Sequence, residues 1–221
     1  QYLKYVSRLS MKTSQLSDLA IKHVRSGYEN LKYEDIFEHG RREKILPFIA
    51  FLFVSSKIDV PRWEVILAAY NQRTLSILRF LEDVFNKFEQ RGIKRIFVYE
   101  NFGALLKSGQ EIACFASGDI DLYADFSEQD SITSELQNCG FKPEDGNFSS
   151  STVSTVYHNP TVLGGEGYRL NVMWQPLSRK KLPFPLDIDK CIDWEHLDSY
   201  KDTHIKLPSL DALLYLCLLH I

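Results

Sequence analysis

The chain has 221 residues, of which 44% are hydrophobic and 25% charged, ordinary values for a soluble globular protein able to bury a core. A formal net charge of −3 lacks the basic excess of a general nucleic-acid or DNA binder. Four cysteines, Cys114, Cys139, Cys191 and Cys217, show neither a CxxC pair nor metal-ligand spacing, so they read as reduced thiols of a cytoplasmic protein.

The opening "QYLKYVSRLS" lacks the apolar stretch of a secretory signal. There is no initiator Met and "LLYLCLLHI" stops in mid-pattern, so the sequence reads as a cut domain. The most apolar run, "ILPFIAFLFVSS" (45–56), is too short to span a bilayer and contains Pro47. It reads as a buried helix, and no membrane association is expected. In "PRWEVILAAYNQRTLSILRFLEDVFNKFEQRG", Leu67, Leu78, Leu81, Phe85 and Phe88 recur at helical spacing. Pro61 suits the start of that helix and Gly92 its stop. Residues 1–91 therefore form a helical N-terminal region.

From Gly92 the pattern changes. "IKRIFVY" (93–99) is a short β-rich run, "NFGALLKSG" a turn into a brief helix, and "GDIDLYADF" (118–126) a strand of period two. "SEQDSITSELQNCGF" reads as a helix opened by Ser127 and closed by Gly140. Two further strands, "STVSTVYHNP" and "YRLNVMWQP", flank the turn "TVLGGEG". Residues 92–178 thus form a mixed α/β core. Residues 179–221 read as a Pro-rich, charged loop with short helical turns, then a helix capped by Ser209 with Asp211 in its first turn. The fold class is α+β.

The chemistry concentrates in "FASGDIDLYAD" (115–125). Residues i and i+2 of a strand share a face, so Asp119 and Asp121 project together while Ile120 and Leu122 turn to the core. Two carboxylates on one face repel unless a cation lies between them, and hard oxygen ligands suit Mg²⁺. Asp125 has the same parity but lies too far down the strand to share an ion with Asp119, so it reads as a strand-end aspartate. Asp187 and Asp189 repeat the spacing in a Pro-rich loop and read as solvated. The six histidines show no zinc spacing. The basic clusters Arg41, Arg42, Lys44 and Arg179, Lys180, Lys181 read as surface, the second being the better placed to meet phosphates.

These elements, in this order, resemble the nucleotidyltransferase superfamily of the DNA polymerase β type, most closely a bacterial branch known as nucleotidyltransferase family proteins. "AAYNQRTLSILRFLEDVFNKFEQRGIKRIFVYENFGALL" resembles that branch's long helix, first strand and phosphate-binding turn. "SGDIDLYAD" is similar to its metal-binding strand, "YRLNVMW" to its third strand, and "LPSLDALLYLCLLH" to its C-terminal helix. The resemblance implies transfer of a nucleoside monophosphate from an NTP to a hydroxyl-bearing acceptor: a small molecule, a peptide or an RNA end. Asp119 and Asp121 would hold Mg²⁺. Asn101, Gly103 and Lys107 in the turn, with Ser117 and Gly118 before the strand, would meet the nucleotide phosphates.

Three positions depart from the family pattern. The first strand ends in Tyr99, Glu100, Asn101 and Phe102 where glycine is usual, and Glu100 brings negative charge towards a phosphate. The third carboxylate is expected at Asn171, whose amide oxygen can coordinate but which cannot act as a base. Met173 replaces a companion His before Trp174, and Phe115 and Ala116 stand where an Arg is common. Glu166 in the preceding turn is one substitute carboxylate. The second reading of this sequence is a catalytically degenerate fold serving as a nucleotide- or protein-binding module.

Overall fold

A stripe of apolar residues at helical spacing gives way, after Gly92, to strands that alternate inside and out, and the chain folds accordingly. The computed structural model describes residues 32–109, 119–144, 154–159, 168–175 and 192–219. Ser117, Gly118, Glu166, Asp187, Asp189 and the cluster at 179–181 lie outside the described residues. The chain divides into two compact units, Gln1–Ile77 with Ser108–Ser117, and Leu78–Lys107 with Gly118–Ile221.

The described part of the first unit is helical: α1 (Tyr33–Arg42), α2 (Leu46–Ser55) and the first turns of α3 (Val60–Gln90). The apolar run expected to form a helix is α2, with Pro47 in its first turn, where a missing N–H costs nothing. Ile36, Leu46, Ala50, Phe53, Ile58 and Trp63 make the core. Trp63 is fully buried, its ring 4.8 Å edge-on from Phe53 and 5.1 Å from Tyr33. In the basic cluster of α1, Arg41 pairs with Glu38 and Arg42 with Glu43, each at 2.9 Å on the surface. Among the described residues, no helix is long and apolar enough to cross a membrane.

The second unit is built on a mixed five-stranded sheet in the order β1-β2-β5-β4-β3, from β1 (Ile96–Val98), β2 (Asp119–Asp125), β3 (Lys142–Pro143), β4 (Ser154–Asn159) and β5 (Tyr168–Gln175). β2 pairs antiparallel with β1 and parallel with β5, while β4 is antiparallel to both β5 and β3. Between β1 and β2 runs α4 (Glu100–Ser108), and after β2 comes α5 (Gln129–Asn138). The helix expected to open at Ser127 starts two residues later. Asp125 accepts from the Ser127 N–H at 2.8 Å and holds Phe126–Glu128 in a 3₁₀ turn first.

One face of the sheet is a dry core of Ile120, Leu122, Ala124, Leu170, Val172 and Trp174. The rings of Phe141 and Tyr168 meet Phe80 of α3 at 5.4 and 5.0 Å. On the opposite face, Phe97, Tyr99 and Tyr123 pack with Ile192, Ala212, Leu213 and Leu216, the last three from α6 (Leu210–Leu219). Ser209 caps α6 as its sequence suggests, accepting from the Ala212 N–H at 3.2 Å. The stretch read as loop also contains a hairpin of two-residue strands, β6 (Asp198–Ser199) and β7 (Lys206–Leu207), too short to carry a readable period.

Candidate functional site

β2 presents its residues as its alternation requires: Ile120 and Leu122 are buried, Asp121 is half-buried and Asp119 exposed. Asp121 stands opposite Asn171 in the parallel β2/β5 pair, and Asp119 opposite Arg169. Cross-strand partners share a face, so the two carboxylates, the amide and the guanidinium lie on the sheet surface beyond the Tyr99–Tyr123 cluster. The Asn171 Nδ2–H donates to Asp121 Oδ1 at 3.1 Å. Its Oδ1 is buried without a hydrogen-bond partner among the described residues. That leaves an amide oxygen beside a carboxylate, a donor set of hard oxygens.

A further carboxyl group reaches this place from the turn between β1 and α4. Glu100 takes a left-handed backbone, φ +52°, an uncommon conformation for a residue with a side chain, and it begins α4 directly. Its carboxyl stands against the Asp121 carboxyl and the Tyr99 hydroxyl. Burial first, and the Asp121 charge second, push it up to about 7. Burial likewise drives the Tyr99 phenol far above its usual range, reinforced by the same two acids. Tyr99 Oη also lies 3.5 Å from Met173 Sδ, the residue standing where the family resemblance places a histidine.

The turn residues serve packing as much as any ligand. A Cβ on Gly103 would lie 2.7 Å from the Val98 carbonyl oxygen, so only glycine lets α4 fold back this tightly on β1. Asn101 is half-exposed in the first turn of α4. Lys107 sits in the last turn of α4, where its ammonium is ion-paired with Asp198. Asp125 ends β2 as a turn aspartate: besides capping Ser127 it pairs with Arg95 at 3.0 Å, and these contacts hold its carboxyl below the usual range despite its partial burial.

The structure thus brings together Asp119, Asp121 and Asn171, adds Glu100, and leaves Lys107 engaged elsewhere. Glu100 was visible in sequence as a charge at the turn, but its contact with Asp121 depends on the left-handed backbone. Arg169 was legible by parity, two residues before Asn171. Among the described residues, no group of three or more His, Cys, Asp and Glu side chains stands ready to hold a metal ion as placed. Compared with protein-family models, curated proteins and solved structures, the chain matches none.

Proposed function

We propose that this site binds a nucleoside triphosphate with Mg²⁺ and transfers its nucleoside monophosphate to a hydroxyl-bearing acceptor. The observation that supports this reading is the shared face of Asp119 and Asp121 at the start of β2, with Asn171 in register on the parallel neighbour. The donor chemistry fits the ion: two carboxylates and a buried amide oxygen offer hard ligands, with room for retained water at the exposed Asp119. When bound, Mg²⁺ supplies charge neutralisation at the phosphate under attack. Asp119 and Asp121 would hold it, and Asn171 would fix the orientation of Asp121 through its N–H or turn its oxygen to the metal. Tyr99 and Glu100 wall the inner side of Asp121, while Met173 and the aromatic cluster exclude water beneath the site.

The test is calorimetry with each NTP, with and without Mg²⁺, on wild type and on Asp119→Ala and Asp121→Ala. Mg²⁺-dependent binding that both substitutions abolish is expected. Wild type that binds no NTP in the presence of Mg²⁺ would sink the proposal.

One specific contact favours a second reading, a nucleotide-binding or scaffolding module without turnover. Asp121 already accepts the Asn171 N–H at 3.1 Å, a contact that stabilises it without a metal. Tight NTP binding combined with no NMP transfer across a panel of alcohol, peptide and RNA-end acceptors would select that reading.

A further inference from the structure

Phosphate groups need cations, and the positions first expected to meet them do not offer any. Lys107 is held by Asp198, and the turn before α4 carries the half-buried Glu100 carboxyl beside Asp121. A bulky side chain at that helix start crowds out an anion that the backbone N–H groups would otherwise attract.

The open sheet face supplies what the turn lacks. Arg169 stands opposite Asp119, His158 of β4 opposite Arg169, and Lys142 of β3 opposite His158. These four positions form one cross-strand row on the face that carries Asp119 and Asp121, at about 4.8 Å per strand. Asp119, Arg169 and Lys142 are exposed and His158 is half-buried, so the row is reachable from solvent. The carboxylates lie at one end, and three nitrogen-bearing side chains lead away from them.

Arg169 is also oriented. Its Nε and Nη2 both donate to Glu144 Oε1, at 3.0 and 2.6 Å, which fixes the plane of the guanidinium. A guanidinium has five N–H donors in a rigid fork, and the outer edge with Nη1 makes no hydrogen bond among the described residues. That edge suits a phosphate, which arginine binds through paired N–H groups. Lys142 and His158 make no ion pair among the described residues, so their donors are not already spent. Glu144 offsets part of the Arg169 charge and takes the Nε–Nη2 side of the fork, so a phosphate meets Arg169 at its Nη1 edge.

We infer that the phosphate chain of the nucleotide lies along the Arg169–His158–Lys142 row, leading away from Asp119, with Arg169 as its anchoring contact. From Asp119 it is one strand step to Arg169, two to His158 and three to Lys142, about 14 Å in all. A triphosphate whose first phosphate is at the carboxylates therefore meets Arg169 and His158 directly, and Lys142 only through the reach of its long side chain. The inference rests on the nucleotide-binding reading above.

It is tested by calorimetry on the full chain with two probes, the Mg²⁺ complexes of NTPs and of inorganic tripolyphosphate. Arg169→Ala is expected to weaken both about tenfold, Arg169→Lys less, and Lys142→Ala about threefold, each lowering the salt dependence of binding. The Arg169–Glu144 pair is on the surface, so the substitutions should leave folding intact, which circular dichroism checks. If Arg169→Ala and Lys142→Ala bind as wild type while Asp121→Ala does not, the row is overturned and the nucleotide reading stands. If wild type binds neither probe, both are overturned.

Discussion

Asn171 is the residue on which the chemistry of the site turns. It occupies the register position opposite Asp121, donates one N–H to it, and leaves its own oxygen buried and, among the described residues, unpaired. A carboxylate there would set a second negative charge directly against Asp121, which a cation must balance. Asn171→Asp should therefore lower the melting temperature in chelator, because it removes a donor from Asp121 and sets like charges together. Added Mg²⁺ should reverse that loss and bind on the order of tenfold more tightly than to wild type. Thermal unfolding with and without Mg²⁺ reads both effects. An Asn171→Asp protein indifferent to Mg²⁺ would place residue 171 outside any metal site. The sequence disclosed the aspartates and the asparagine because strand parity depends only on spacing. It could not disclose that Glu100 meets Asp121, since that follows from a positive φ adopted by a non-glycine residue.

At the scale of elements, α4 and β1 are locked by the absence of one methyl group. The Gly103 Cα stands so close to Val98 that a Cβ would meet its carbonyl oxygen at 2.7 Å and carbon at 3.0 Å, both backbone atoms that cannot swing aside. Gly103→Ala should shift α4 away from β1 and destabilise the chain by about 1–3 kcal/mol, with a matching fall in melting temperature. Because α4 begins at Glu100, the same shift should disturb the Glu100–Asp121 contact and weaken any Mg²⁺-dependent binding. An alanine variant as stable as wild type would show that the turn is more yielding than its geometry requires. The long helix, the two flanking strands of "YRLNVMWQP" and "STVSTVYHNP", and the capped α6 were legible, since each carries a sustained period or a cap. β3, β6 and β7 were not, because two residues hold no period and pairing alone defines them.

For the whole molecule, the buried acid makes stability depend on pH in a direction opposite to that of an ordinary paired carboxylate. Glu100 is held up to about 7, above the 4.5 of a free glutamate, by burial and then by the Asp121 charge. The folded state therefore binds the proton more tightly than the unfolded chain does. Its contribution to stability is fully present below about pH 4.5 and is lost as pH rises through about 7. Asp125 runs the other way: its carboxyl is held low by Ser127 and Arg95, so its contribution is lost on acidification below the usual carboxylate range. The two windows do not overlap, which places the joint optimum of these groups in mildly acid solution. Glu100→Gln keeps the size and the hydrogen-bonding capacity of the side chain but removes the titration. It should leave the melting temperature near wild type at pH 5 and raise it at pH 8. The difference should amount to roughly 1–2 kcal/mol once water screening at this half-buried position is allowed for. Melting curves of both proteins from pH 4.5 to 8.5 measure it directly. Parallel curves across that range would mean that Glu100 stays ionised in the fold and that its contact with Asp121 is broken in solution.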